Sequence, residues 1–251
     1  MQLKDNDRGG YRYLTGISAY SSGVVALPGH EIVHATLAQP IPLAAGFDLV
    51  AGHLDGLRRP RQALCAMELR SPKPFSFDGF ADFNIGYADV LRDWDIHVGD
   101  DNPVARTNVA PEVAPPAEPS LYAFAYTVPG ETPTPTFVVA GAGEVHRQSL
   151  DVQTIVREGE TGPDAMAEKA AHVMGVMQAR MEGLGADWRR VTATDVYTVH
   201  QLQPYLASVL LEPMGAAAAH GVRWHFTRPP IEGLDFEMDA RGIAREIVLP
   251  V

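Results

Sequence analysis

Arg223, His225 and Glu237 are the residues near the C-terminal end of the chain best suited to act together. A guanidinium grips a carboxylate through a planar, charge-assisted fork. A strand carboxylate can shuttle a proton and position water. A histidine titrates near neutral pH. The run 234–241 alternates strictly. Leu234, Phe236, Met238 and Ala240 fall on one face, and Asp235, Glu237, Asp239 and Arg241 on the other. One face suits a core, and the other presents charge to a cleft, a partner or solvent. An arginine on one strand and an acid on the next could bind an organic acid and move its protons. The plainer alternative is structural: Arg223 pairs across strands with Asp235 or Glu237, and His225 is an ordinary hydrogen-bonded histidine.

The elements that must carry these residues fall into two similar halves. The proline-rich run 128–135 cannot be helix and divides the chain near its midpoint. In the second half, 136–145 and 149–157 read as strands. A helix follows, with Thr161 as its cap, Pro163 in its first turn and Gly185 at its end. Met166, Ala170, Met174, Met177, Met181 and Leu184 recur along it at helical spacing, the pattern of a core face. A strand at 191–199, a helix at 204–219, and strands at 222–226 and 234–243 complete this half. The first half repeats the order: strands 23–27 and 32–38, helix 47–57, strand 63–69, helix 78–94, then strands 102–109 and 121–128. Helices on one face of a mixed sheet, twice over, make an α+β architecture that is economically explained by internal duplication.

Bulk properties narrow the function. The chain has 251 residues, 46% hydrophobic and 20% charged, a globular composition with enough length for a full core. Its formal charge of −11, with no compensating basic run, argues against nucleic acid as a partner. The lone cysteine, Cys65, excludes an internal disulfide. No long apolar span or signal-like start is present, so a cytoplasmic location and no membrane partner are expected. The nine histidines form no metal-binding cluster on an expected helix, since His30 and His34 have i,i+4 spacing but His34 belongs to a strand-like run, and Gly141-Ala142-Gly143 lacks the rest of a dinucleotide fingerprint. Neither a metal nor a cofactor is expected.

With this layout, several segments resemble the RidA (YjgF-type) family. In the first half these are 79–84 with Tyr87, and Asn102-Pro103-Val104-Ala105-Arg106-Thr107-Asn108-Val109. In the second they are 185–187 leading to 196–199, Val222-Arg223-Trp224-His225, and the closing Phe236-Glu237-Met238-Asp239-Ala240. The chain looks like two family members in tandem. The resemblance implies two RidA-like (chorismate-mutase-like) domains, at 1–128 and 136–251, and a homo-oligomer, a trimer by analogy. It also implies hydrolysis of an enamine or imine with release of ammonia. By motif, the carboxylate-gripping arginine maps to Arg106 and Arg223, the helix asparagine to Asn84 alone, and the closing glutamate to Glu237 alone, with Ala123 in its place in the first half. Each half lacks one element the other keeps, so a composite site is expected.

The resulting expectation is a deaminase of a small carboxylated enamine, of the 2-aminomuconate or the 2-aminoacrylate type. Glu237, Arg223 and His225 are its expected catalytic residues, and Arg223, Arg106 and Asn84 its substrate contacts. A dicarboxylate such as 2-aminomuconate suits two arginines. The rivals are a chorismatase-like enzyme on the same fold and a non-catalytic carboxylate-binding protein.

Overall fold

A computed structural model describes residues 1–146 and 154–251; part of the strand expected at 149–157 lies outside the described residues. The first half runs β4 (His30–Pro42), α1 (Leu43–Gly56), β5 (Leu64–Arg70), α2 (Phe77–Asp93), β6 (Ala105–Pro111) and β7 (Ser120–Pro129). The second runs β8 (Phe137–Gly143), α3 (Pro163–Gly183), β9 (Ala193–Tyr197), an irregular helical segment at 206–220, β10 (Arg223–His225) and β12 (Glu237–Gly242). Their strands order as β6-β5-β7-β4 and β10-β9-β12-β8. β5/β6 and β9/β10 are parallel, and the other neighbours within each set are antiparallel. The same order and the same directions in both halves are a structural repeat, and the architecture is α+β.

Sheet membership nevertheless crosses the 128/136 division. The early strands β1 (Leu3–Asn6), β2 (Tyr11–Leu14) and β3 (Gly23–Ala26) extend the sheet of the second half, with β3 beside β8. The late strands β11 (Thr227–Arg228) and β13 (Arg245–Leu249) extend the sheet of the first half, with β13 parallel to β4. Seven-stranded and six-stranded sheets result.

Three apolar clusters define the layers. Phe47, Val50, Leu54 and Leu91 of α1 and α2 pack on Met67, Phe124 and Tyr126 of the six-stranded sheet. Met166, Met177 and Met181 of α3 pack on Val139, Phe236, Met238 and Ala240. Tyr11, Tyr13, Ile32, Cys65, Ala105, Ala125 and Ala140 fill the space between the sheets. Helices thus cover the outer face of each sheet while the inner faces meet. Phe236, Met238 and Ala240 pack outward against the α3 side, and Glu237, Asp239 and Arg241 turn toward the other sheet.

Two local expectations change. Thr161 is not the cap of α3; Gly162 takes that position without a side-chain bond, and Pro163 opens the helix. The helix expected at 204–219 is a wide π turn (Leu206–Leu211), a short α segment (Glu212–Met214) and a 3-10 stretch (Gly215–His220). Pro213 is the physical reason: it lacks an N–H, and its ring crowds the carbonyl one turn earlier. Among the described residues no helix is long and apolar enough to cross a membrane.

Candidate active site

Strand register decides which charged groups can meet. In the first sheet Met67, Arg106 and Phe124 share a row, and Glu68, Thr107 and Ala123 share the next. In the second, Val196, Trp224 and Met238 share a row, and Tyr197, His225 and Glu237 the next. Met67 and Phe124 face helices, as do Val196 and Met238. Arg106 therefore corresponds by face to Trp224 and not to Arg223, whose row faces the opposite sheet. Ala123 does correspond to Glu237. Only one half carries each element of the site.

Glu237 opens β12 and is 4% exposed. Its registered partner on β8 is Gly143, and its side chain is accommodated over Gly141, two residues away: a Cβ at Gly141 would lie 2.3 Å from Glu237 Oε1 and 3.1 Å from Thr107 Oγ1. Gly141→Ala is therefore expected to fold but to displace the carboxylate. Misplacement on this scale lowers turnover about 100-fold, measurable as kcat alongside a thermal melt. A variant with unchanged kcat would place the Glu237 carboxyl outside the chemistry.

Arg106, on β6, is 3% exposed. Its Nη2 donates to Asn84 Oδ1 at 2.5 Å, and Asn84 is supplied by α2. The guanidinium lies 4.4 Å from the Tyr20 ring centre and 4.7 Å from that of Tyr87, with Phe80 and Phe83 beyond. The rings hold the cation by cation–π attraction and fix its plane. Its Nη1 is buried without a hydrogen-bond partner. A buried, oriented, unsatisfied cationic donor is costly unless something binds it.

A second arginine faces the same space. Arg180, on α3, is buried and donates from Nη1 to the carbonyls of Ala140 (2.8 Å) and Gly141 (3.1 Å). Arg106, Arg180, Glu237, Tyr20 and Asn108 line one cleft with a cavity volume of about 70 Å³ that opens to solvent, with Ile17, Phe80, Ile231 and Leu234 as an apolar wall. That mixture of an apolar wall and a few polar groups suits a small molecule with the same mixture.

The electrostatics favour a proton on Glu237. Burial raises its carboxyl well above the ordinary value of 4.5, the negative charges of Asp239 and Glu144 raise it further, and Arg180 and Arg106 oppose them. Asp239, two residues on along the same face, accepts hydrogen bonds from Thr107 Oγ1 (2.7 Å) and Tyr197 OH (2.9 Å). It too is raised, first by burial and then by Asp195 and Glu68. The cleft thus combines two fixed cations with a carboxyl that retains its proton toward neutral pH, a grip for carboxylates beside an acid.

Of the residues singled out from sequence, Glu237, Arg106 and Asn84 are brought together. Arg223 and His225 are placed elsewhere, at the edge strand β10. The Arg223 side chain is 48% exposed and pairs with Glu246. His225 Nε2 contacts Asp195 Oδ1 at 2.9 Å, and its ring stacks on Tyr197. The pairing of Arg223 with Asp235 or Glu237 is likewise absent, because its face directs it to Glu246. Arg180 and Tyr20 escaped sequence reasoning. Arg180 left a signal: a charged residue at the buried spacing of the α3 methionines. Tyr20 lies between two short strands and left none.

The chain matches the family described as 2-aminomuconate deaminase CnbZ over residues 3–247. It is 41% identical over 244 residues to the 2-amino-5-chloromuconate deaminase of Comamonas testosteroni, covering 96% of each chain. Among solved structures, a chorismatase aligns at TM-score 0.48 with 12% identity, covering 97% of this chain and 89% of that one. The YjgF gene product of E. coli aligns at TM-score 0.28 with 14% identity, covering 46% and 86%. The family match and the sequence relative together carry the assignment: the chain belongs to the 2-aminomuconate deaminase family CnbZ.

Proposed function

We propose that this chain, a deaminase of aminomuconate-type substrates, works as an enamine/imine hydrolase on an unsaturated 2-amino dicarboxylate. The observation that carries the reading is the convergence of Arg106 from the first half with Arg180 and Glu237 from the second in one cleft. Two arginines match two carboxylates. The apolar wall matches the unsaturated carbon chain between them.

The steps follow from the protonation state. Protonated Glu237 delivers its proton to a substrate carbon, and the enamine becomes an iminium ion. Glu237, now a carboxylate beside Arg106 and Arg180, takes a proton from water as the oxygen adds to the iminium carbon. Transfer of the new hydroxyl's proton to nitrogen then expels ammonia and leaves a ketone. One water is consumed per ammonia released, and Glu237 ends protonated as it began. The first proton transfer builds negative charge on Glu237 next to fixed cations that need no reorganisation, the usual origin of large rate effects.

Every polar group invoked in these steps comes from one copy of the chain. The test is ammonia release from freshly generated 2-aminomuconate, with the keto diacid quantified in parallel. Equimolar ammonia and ketone are expected. Pyruvate release from chorismate without ammonia formation, or tight ligand binding with no turnover, would replace this reading by one of its rivals.

A further inference from the structure

Behind the cleft lies a buried ionic cluster that the reaction steps do not use. Glu144 follows β8 and is fully buried. Its Oε1 accepts the backbone N–H of Asp235 at 2.6 Å, and its Oε2 accepts that of Phe236 at 3.1 Å. These are the two residues that precede Glu237. Lys169, on α3 and also fully buried, donates to Glu144 Oε1 at 3.4 Å and to Asp235 Oδ2. His200 Nε2 approaches Asp235 Oδ1 at 3.3 Å from the solvent side.

Ions buried this way rarely add stability over apolar packing of the same volume. The position of this cluster points to another role. It binds the chain where it enters β12, immediately before the reacting carboxyl. Lys169 shares α3 with Arg180, about three turns away. The cluster therefore links the two walls of the cleft: the strand bearing Glu237 and the helix bearing Arg180.

We propose that Glu144, Lys169 and Asp235 form a positioning clamp that holds Glu237 at its working distance and orientation relative to Arg180. The clamp rests on the reading of Glu237 as the proton-handling group. Glu144 also acts on that group electrostatically. The charged and titratable groups that face Glu237 are Arg106 from β6, Arg180 from α3, Tyr20 from the β2–β3 connection, Asp239 from its own strand and Glu144 from the end of β8. Of these, Glu144 and Asp239 raise the Glu237 carboxyl, so neutralising Glu144 lowers it.

Glu144→Gln and Glu144→Asp test the clamp on the full chain, with kcat, KM and the pH profile of kcat read together and folding followed by thermal melt. Glu144→Gln keeps the shape but removes the charge and one backbone acceptor. Its kcat is expected to fall about 10- to 100-fold, on the scale of lost supporting contacts, with KM nearly unchanged because both arginines remain. The alkaline limb of its profile should move to lower pH. Glu144→Asp keeps the charge but cannot reach both N–H groups, so kcat should fall with the limb near its original place. A purely structural cluster would lower the melting temperature and move neither the limb nor kcat per folded molecule. That result, or wild-type kinetics in a folded Glu144→Gln, overturns the clamp. If Glu144→Gln does not fold, Glu144→Asp decides on the kcat-against-KM split. Glu237→Gln in the same assay separates the two ideas. If Glu237→Gln stays active, the functional reading itself fails. If it is inactive while both Glu144 variants behave as wild type, only the clamp fails.

Discussion

Glu237→Gln is expected to lower turnover about 100-fold or more, the scale of general acid–base assistance, while raising thermal stability at neutral pH. The two effects share one origin. Burial and the nearby Asp239 and Glu144 charges hold the folded-state value of Glu237 well above 4.5. Above its unfolded value the native state keeps a proton that the unfolded chain has released. Stability therefore falls as pH rises from the unfolded value toward the raised native one. Glutamine ionises in neither state and escapes that loss. For activity the sign is parallel: the acid form starts the reaction, so kcat should be held below the raised value and lost as pH climbs through it. Steady-state ammonia release and thermal melts at several pH values measure both. Asp239→Asn, in contact with Thr107 and Tyr197 instead of the cleft, should keep more activity. If Asp239→Asn is dead and Glu237→Gln fully active, the proton is handled one pleat pair further along β12.

The alternation of 234–241 was legible because period-2 patterning reports the two faces of a strand directly. What the charged face would meet was not legible. It meets Thr107 and Glu68 of the other sheet, contacts that depend on how two sheets stack. Arg106 and Arg223 looked equivalent because both follow a similar local motif. A one-residue difference in register turns a side chain to the opposite face, and only the pairing with Met67 and with Asp195 reveals it. Asn84 could be found only through the family resemblance of the 79–84 segment, and it does hold Arg106. Lys169 and Arg180 were hidden by the methionine pattern of α3. Their spacing marked them as inward-facing, but the pattern gives no partner for them. The short early strands β1–β3 carried too little periodicity to reveal that they extend the far sheet, or that Tyr20 would reach the cleft.

The arginine pair makes a prediction that a loss of stability cannot imitate. Arg106→Lys and Arg180→Lys keep the charge but lose the planar fork. Each should cost about 1.5–3 kcal/mol in kcat/KM for 2-aminomuconate, roughly 10- to 150-fold. With 2-aminoacrylate, which has a single carboxylate, only the arginine beside the reacting carbon has a partner. One variant should therefore lose as much as before, and the other should stay within about twofold of wild type. Destabilisation acts on both substrates alike, so the substrate dependence isolates binding. Arg223→Lys is the control: exposed and paired with Glu246 outside the cleft, it should leave both substrates nearly unaffected. Equal losses on both substrates for both cleft variants would mean that the arginines hold the sheets and helix together and do not read the second carboxylate. Selectivity for the diacid would then have to come from Asn108, Tyr20 and Ser22, the other polar side chains of the cleft wall.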